Sequence, residues 1–177
     1  MPVIRLETFI KAPAALCFDL ARDIDLHTTN DSPFKHRAVA GVTSGLIALN
    51  ETVTWEAGFF GVSQRMTSKI VAFEPPRTFT DEMLRGPFKR WRHTHLFEPQ
   101  RGGTLMSDHI DYASPLGPVG AAFDALYLKG FLTRFIVAHN EDIRRLAERR
   151  AQATPAQVAP AGAESGSDDS DTSKRNV

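Results

Sequence analysis

The sequence predicts an α+β fold: a curved antiparallel sheet of six to seven strands wrapped around a long C-terminal helix, with two short helices after the first strand. Three observations lead there. From Glu51 to Tyr112 the chain is a series of β-rich segments broken by turns bearing glycine or proline. After Val119 the apolar residues change from alternation to helical spacing. Hydrophobic residues make up 42% and charged residues 24%, enough apolar material for one good core in 177 residues.

Val3 to Ile10 alternates weakly and reads as the first strand. Pro13 opens a helix, since its fixed φ and missing N–H are tolerated at a first turn. "AALCFDLA" continues it, and "DIDLHTTN" forms a second short helix ending near Asn30. Arg37 to Val42 is a short strand. Five more strands are expected over 51–57, 62–72, 77–84, 89–98 and 104–112, separated by "GFFG", "EPP", "RGPF" and "PQRGG". Val119, Phe123, Leu126, Leu132, Phe135, Ile136, His139, Ile143 and Leu146 mark one helix from 119 to 150, basic in its last turn as the helix dipole favours. A meander followed by one long amphipathic helix buries both apolar faces when the sheet curls around the helix, which is a helix-grip arrangement with space between the two.

The domain is expected to span 1–150. Residues 151–177 are alanine, serine, aspartate, glycine and proline without an aromatic side chain, and are expected to be a disordered tail. The 21 basic and 21 acidic residues balance, so no nucleic-acid footprint is expected. The start carries Arg5, Glu7 and Lys11 and is not read as a signal peptide; no apolar run has transmembrane length. A cytoplasmic location is expected, with the oligomeric state left open. The single cysteine, Cys17, sits in an apolar context and reads as a small buried residue.

Period two sorts each strand into faces. In "WRHTHLF", Trp91, His93, His95 and Phe97 share one side, opposite Arg90, Arg92, Thr94, Leu96 and Glu98; the charged set takes the water side. Phe79, Asp81 and Met83 then face inward, as do Met106, Asp108, Ile110 and Tyr112. Earlier strands add Glu51, Val53 and Trp55, then Gln64, Met66, Ser68 and Ile70. A three-residue turn at 86–88 puts Asp81 opposite His93. A four-residue turn at 99–102 puts Asp108 opposite His93, whereas a two-residue slip puts Asp108 beside His95.

An inner face holding Glu51, Asp81, His93, His95 and Asp108 must pair or solvate them. Three uses are open. His-x-His with two carboxylates is a metal-ligand set, though strands offer that spacing often. A histidine between carboxylates is a general acid/base, with His93, Asp81 and Asp108 as the catalytic candidates. A satisfied polar network that holds the sheet and gives a mostly apolar cavity its few polar anchors, for a ligand or for structure alone, is the third. The third is expected, with no metal and no cofactor. The turns "GFFG", "RGPF" and "SPLGPVG" fall at one end of the sheet and suggest an apolar rim; a dimer or membrane contact, or packing of their rings onto the helix, are the alternatives.

The stretches "ARDIDLHTTN", "ETVTWEAGFFG", "FTDEMLRGPFKRWRHTHLFE" and "GGTLMSDHIDYASPLGPVG" resemble the SRPBCC (START, polyketide cyclase/dehydrase-like) superfamily, within a bacterial group of small ligand-binding proteins. The resemblance covers about residues 1–149. It implies a helix-grip fold with a deep cavity for hydrophobic or amphipathic molecules; it carries over no catalytic set. The expected function is binding of a small hydrophobic or aromatic molecule by Glu51, Trp55, Met66, Asp81, Met83, Trp91, His93, His95, Phe97, Asp108, Ile110 and Tyr112. The alternative is a cyclase or dehydratase using His93 as acid/base. His27, after "DIDL", is a further candidate to reach the cavity.

Overall fold

The computed structural model describes residues 3–28, 36–59, 62–115 and 117–153. The chain runs β1 (Val3–Ile10), α1 (Ala14–Ala21), α2 (Ile24–His27), β2 (His36–Gly41), β3 (Thr52–Phe59), β4 (Val62–Glu74), β5 (Thr78–Arg85), β6 (Arg90–Gln100), β7 (Gly103–Ala113), α3 (Gly117–Phe123) and α4 (Lys129–Ala153). A π-helical turn, Asp124–Leu128, joins α3 to α4. The seven strands form one antiparallel sheet in the order β1-β7-β6-β5-β4-β3-β2. This is the expected helix-grip architecture, α+β with a meander and a long last helix.

The sheet curls because the ladder is interrupted. Register shifts leave an extra residue at Leu84 on β5, opposite the Thr67–Ser68 step, at Val71 on β4 and at Val39 on β2. Each extra residue bends its strand and increases the local twist. The water-facing side is held by cross-strand pairs: Arg92 with Glu82, Arg90 with Asp111 at 2.5 Å, and the Thr80 and Thr94 hydroxyls at 3.0 Å.

The helix does not sit over the middle of the sheet. Leu128, Leu132 and Ile136 pack with Ile4, Ile110 and Tyr112, so α4 covers the β1–β7 side. A second cluster closes the far end of the concave face, where Phe18 meets Phe79 and Phe97 edge-on at 5.5 and 5.6 Å. Cys17 lies in this cluster, fully buried, and burial raises its thiol to about 11, so it packs as the expected inert residue.

Two features differ from expectation. The β6–β7 connection is a two-residue turn, Arg101-Gly102, because Gly102 takes φ +84°. Both strands therefore run further, and the register is the two-residue slip: His95 pairs with Asp108 and His93 with Ile110. The last helix is not a uniform α-helix, and Leu126 is 88% exposed rather than inward. The inward positions Asp124, Leu128, Leu132, Ile136 and Asn140 recur every four residues. The π turn takes more residues per turn, so Asp124 and Leu128 both turn inward before the regular helix α4 continues with Leu132 and Ile136.

Gly120 allows α3 to close on the end of β7, since a Cβ there would lie 1.9 Å from the Pro115 carbonyl oxygen. Helix α4 runs to Ala153, three residues past the expected boundary; 154–177, with the expected tail, lie outside the described residues. Phe60, Gly61, Leu116 and Asn30 also lie outside them. Among the described residues no helix is long and apolar enough to cross a membrane.

Ile143 is fully buried on the α4 face that meets the sheet. Ile143→Ala should cost about 2–5 kcal/mol in urea unfolding. A loss below about 1 kcal/mol would show that α4 does not pack this way.

Candidate functional site

Because the helix covers only the β1–β7 side, a cavity of about 1190 Å³ remains between it and β3–β6. Trp55, Met66 and Trp91 supply much of the sheet wall, and Leu128, Phe131 and Phe135 the helix wall. The mouth carries Gly58, Pro87, Phe88, Ser114, Pro115 and Val119, from the three turns expected to share one end. Phe88 packs on Trp91 with ring centroids 5.1 Å apart, so it belongs to the wall as well as the rim.

Six of the twelve expected binding residues line this cavity: Trp55, Met66, Asp81, Trp91, His93 and His95. The others sit elsewhere for identifiable reasons. Ile110 and Tyr112 lie beneath α4, which covers β7. Phe97 is taken into the Phe18 cluster. Met83 packs beside Met66 and Phe88 without lining the space. Asp108 is fully buried behind the histidines. Glu51 precedes β3, is exposed, and its carboxylate accepts from the Ala48 N–H at 2.7 Å.

The polar group in the wall is built on Asp108. Its Oδ1 lies 2.8 Å from His93 Nε2 and 3.0 Å from His95 Nδ1, and its Oδ2 accepts from Asn140 Nδ2 at 2.6 Å. The His93 contact is a well-formed hydrogen bond, whereas the His95 ring is angled off the bond direction. Across the histidines, Asp81 Oδ2 stands 3.8 Å from His93 Nδ1 and 3.9 Å from His95 Nε2. The line Asp81–His93–Asp108 expected across three strands is therefore present. The slip in register adds His95 to it, since both imidazoles now reach Asp108.

Burial favours the neutral acid of Asp108, but the bonds from His93 and His95 outweigh it and hold the carboxyl well below its usual range. Burial also works against charge on His93; the hydrogen bond and charge of Asp108, with Asp81 behind, prevail and raise its pKa. Burial and then the neighbouring His93 lower His95. The stable arrangement is an Asp108 carboxylate with His93 the more basic imidazole.

Five of the six histidines face this cavity: His27, His36, His93, His95 and His139. His27 stacks on His139 at 4.1 Å and approaches Trp55 at 5.4 Å, and its Nδ1 lies 2.7 Å from the Asp23 carbonyl oxygen. Burial lowers His27 to about 4 and lowers His139 well below the ordinary imidazole value. His36 and Asn140 were not anticipated. Asn140 follows His139, which the helical spacing had already turned inward; a polar residue next to an inward position was its available signal.

A family match gives this geometry its class. Residues 1–148 match the family described as polyketide cyclase / dehydrase and lipid transport, and the chain belongs to that family. No curated protein is matched in sequence. Among solved structures, the chain is similar to the Thermus thermophilus protein TTHA0849, with 19% identity, TM-score 0.66, and coverage of 86% of this chain and 98% of that one. It is similar to the Zhui aromatase/cyclase from Streptomyces at 17% identity and TM-score 0.64, covering 84% and 94%. The ginseng (Panax ginseng) major latex-like protein 151 matches at 18% identity and TM-score 0.57, covering 82% and 97%. At these identities the likeness is one of fold.

Two predictions follow from the cluster. Asn140→Ala leaves a buried carboxylate oxygen without its donor and should cost about 1–3 kcal/mol by chemical unfolding; Asp108→Ala, which strands two imidazoles and an amide, should cost more. Stability should also fall on acidification. His27, His95 and His139 have folded pKa values below the ordinary 6.5, so their contribution is full above that value and is lost as pH falls, down to about 4 for His27. His93, raised, contributes in the opposite sense: its stabilisation is full below 6.5 and lost as pH rises through its folded value. The lowering of His27 and His139 is large, so the melting temperature should drop between pH of about 7 and about 5, and His27→Asn should flatten the slope.

Proposed function

We propose that the protein binds a small hydrophobic or aromatic molecule in the cavity between the sheet and α4, with one polar group of the ligand set against His93 and His95. The observation that carries this is the cavity itself: about 1190 Å³, with tryptophan, phenylalanine and methionine on its walls and the histidines gathered at one place. Small-molecule sites have this composition, typically with roughly 300–1,000 Å³ of space. Val119 at the mouth is 71% exposed and Phe123 43%, which suits entry of an apolar ligand. Membership of a family described by cyclase, dehydrase and lipid transport supports the same reading.

A second reading is favoured by one observation. The Asn140–Asp108–His93 chain holds a basic imidazole by a buried carboxylate and leaves its other nitrogen toward the cavity. That is the arrangement a general acid/base needs in a cyclisation or dehydration, where a proton leaves a carbon or enters a departing hydroxyl.

Both tryptophans of the chain line the cavity, so binding is readable by their fluorescence. A panel of polycyclic phenols and fatty acids should include members that quench it saturably. Ser68→Phe, which fills the cavity from β4, should weaken that binding at least tenfold while leaving the fold intact by circular dichroism. Non-saturable quenching across the panel, unchanged by Ser68→Phe, would refute the binding reading. For the enzymatic reading, His93→Gln should abolish turnover of a bound polyketide-like ketone with the melting temperature held within a few degrees.

A further inference from the structure

We propose that Asp81, His93 and His95 form a site for a first-row divalent metal ion of the Zn²⁺ or Co²⁺ type, with its open coordination face toward the cavity. This goes beyond the binding reading and can fail without it.

The geometry of the three side chains is the first ground. One ligand atom from each lies within 4.8 Å of the other two. Asp81 Oδ2 is nearly equidistant from the two imidazole nitrogens, at 3.8 and 3.9 Å. Those separations are too long for hydrogen bonds. They are close to the spacing of donors that share an ion: ligands at about 2.0–2.1 Å in a tetrahedron stand roughly 3.4 Å apart. Small rotations about the side-chain bonds close the difference.

The second ground is what lies behind the histidines. Each imidazole turns one nitrogen to Asp108 Oδ1, at 2.8 and 3.0 Å, and the other toward Asp81. Metal-bound histidines characteristically donate their second N–H to a carboxylate, which fixes the tautomer and makes the coordinating nitrogen more basic. Here one buried carboxylate is hydrogen-bonded to His93, lies 3.0 Å from His95 Nδ1, and is itself fixed by Asn140 at 2.6 Å. Such an arrangement leaves lone pairs, not protons, pointing at the space between the rings and Asp81.

Charge is the third ground. Asp81 and Asp108 bring two negative charges to a wall in which Asp108 is fully buried. A divalent cation with two neutral imidazoles cancels them, where a single imidazolium cancels only one. Two nitrogens and one carboxylate oxygen select a borderline transition metal over Mg²⁺ or Ca²⁺, which prefer all-oxygen sites. Three protein ligands leave at least one position free. Because Asp81, His93 and His95 all line the cavity, that position would accept an oxygen of the bound small molecule.

The test uses the full chain, stripped with a chelator and dialysed. Titration with Zn²⁺ by calorimetry should give one equivalent bound with micromolar affinity or better. Co²⁺ should give ligand-field absorption of a low-coordinate site, and zinc X-ray absorption two imidazoles in the shell. Asp81→Asn, an isosteric change at a residue outside the Asp108 hydrogen bonds, should weaken Zn²⁺ at least tenfold and remove the rise in melting temperature that Zn²⁺ produces. Asn140→Ala, acting through Asp108, should weaken it about tenfold. Sub-stoichiometric binding to the wild type would overturn the proposal. So would unchanged affinity in Asp81→Asn, which would place the ion on other histidines. Saturable tryptophan quenching by an apolar ligand in the stripped protein reports the binding reading separately.

Discussion

A fully buried carboxylate on β7, one strand in from the sheet edge, sets the terms for the rest of this structure. Asp108 cannot stay charged inside the sheet without partners, and every partner it takes belongs to a different element: His93 and His95 on β6 and Asn140 on α4. Asn140 also reaches Thr8 on β1 at 3.4 Å. Apolar packing alone would let the helix slide over a wide range of positions on a smooth concave face. A directional contact at 2.6 Å between α4 and β7 selects one of them. The position chosen lies over β1 and β7, and the uncovered half of the concave face becomes the cavity.

The same constraint explains why the histidines differ. His93 and His95 are two residues apart on one strand with ring centroids 3.8 Å apart, yet their pKa values move in opposite directions. Burial penalises both. Only His93 has a well-directed bond to Asp108 to offset that penalty, and its charge then works against His95. His27 and His139, further from any carboxylate, stay neutral. The wall therefore presents one basic group amid several neutral nitrogens that accept or donate according to tautomer.

The fold was legible because its signals are periodic. Alternation in 90–98 and 104–112 placed Trp91, His93, His95, Met106 and Asp108 on one face, and a slip of two residues leaves that assignment unchanged. The pairing was harder, because Arg101-Gly102 and the longer Pro99–Gly102 both make acceptable turns and both keep the faces. Only the left-handed conformation of Gly102 decides between them. Which inward residues meet the cavity was not legible at all. Alternation says that Ile110 and Tyr112 face the helix side, as Trp91 does; it does not say that α4 lies on top of β7 and leaves β6 open. The π turn is hidden for a related reason: Leu126 fits the helical stripe unless one turn holds an extra residue.

On the proposed binding reading, selectivity belongs to the part of the cavity that period and register specify least. The histidine wall is fixed by three strands and by Asp108, so its polar chemistry is stiff. The mouth is made by Gly58, the 86–88 turn and α3, whose closure on Pro115 depends on the missing side chain of Gly120. The π turn beside it carries Asp124, whose carboxylate accepts from the Ser114 hydroxyl and so ties this cover to the end of β7. A helix with i→i+5 bonding has looser backbone geometry than a regular α-helix, and such turns recur at functional sites. Changes of a single side chain in 117–128 would alter the width of the entrance without touching the histidines. On the proposed binding reading, substitutions in 117–128 would vary the molecules admitted while the histidine wall stays the same, and the fold alone does not identify the ligand.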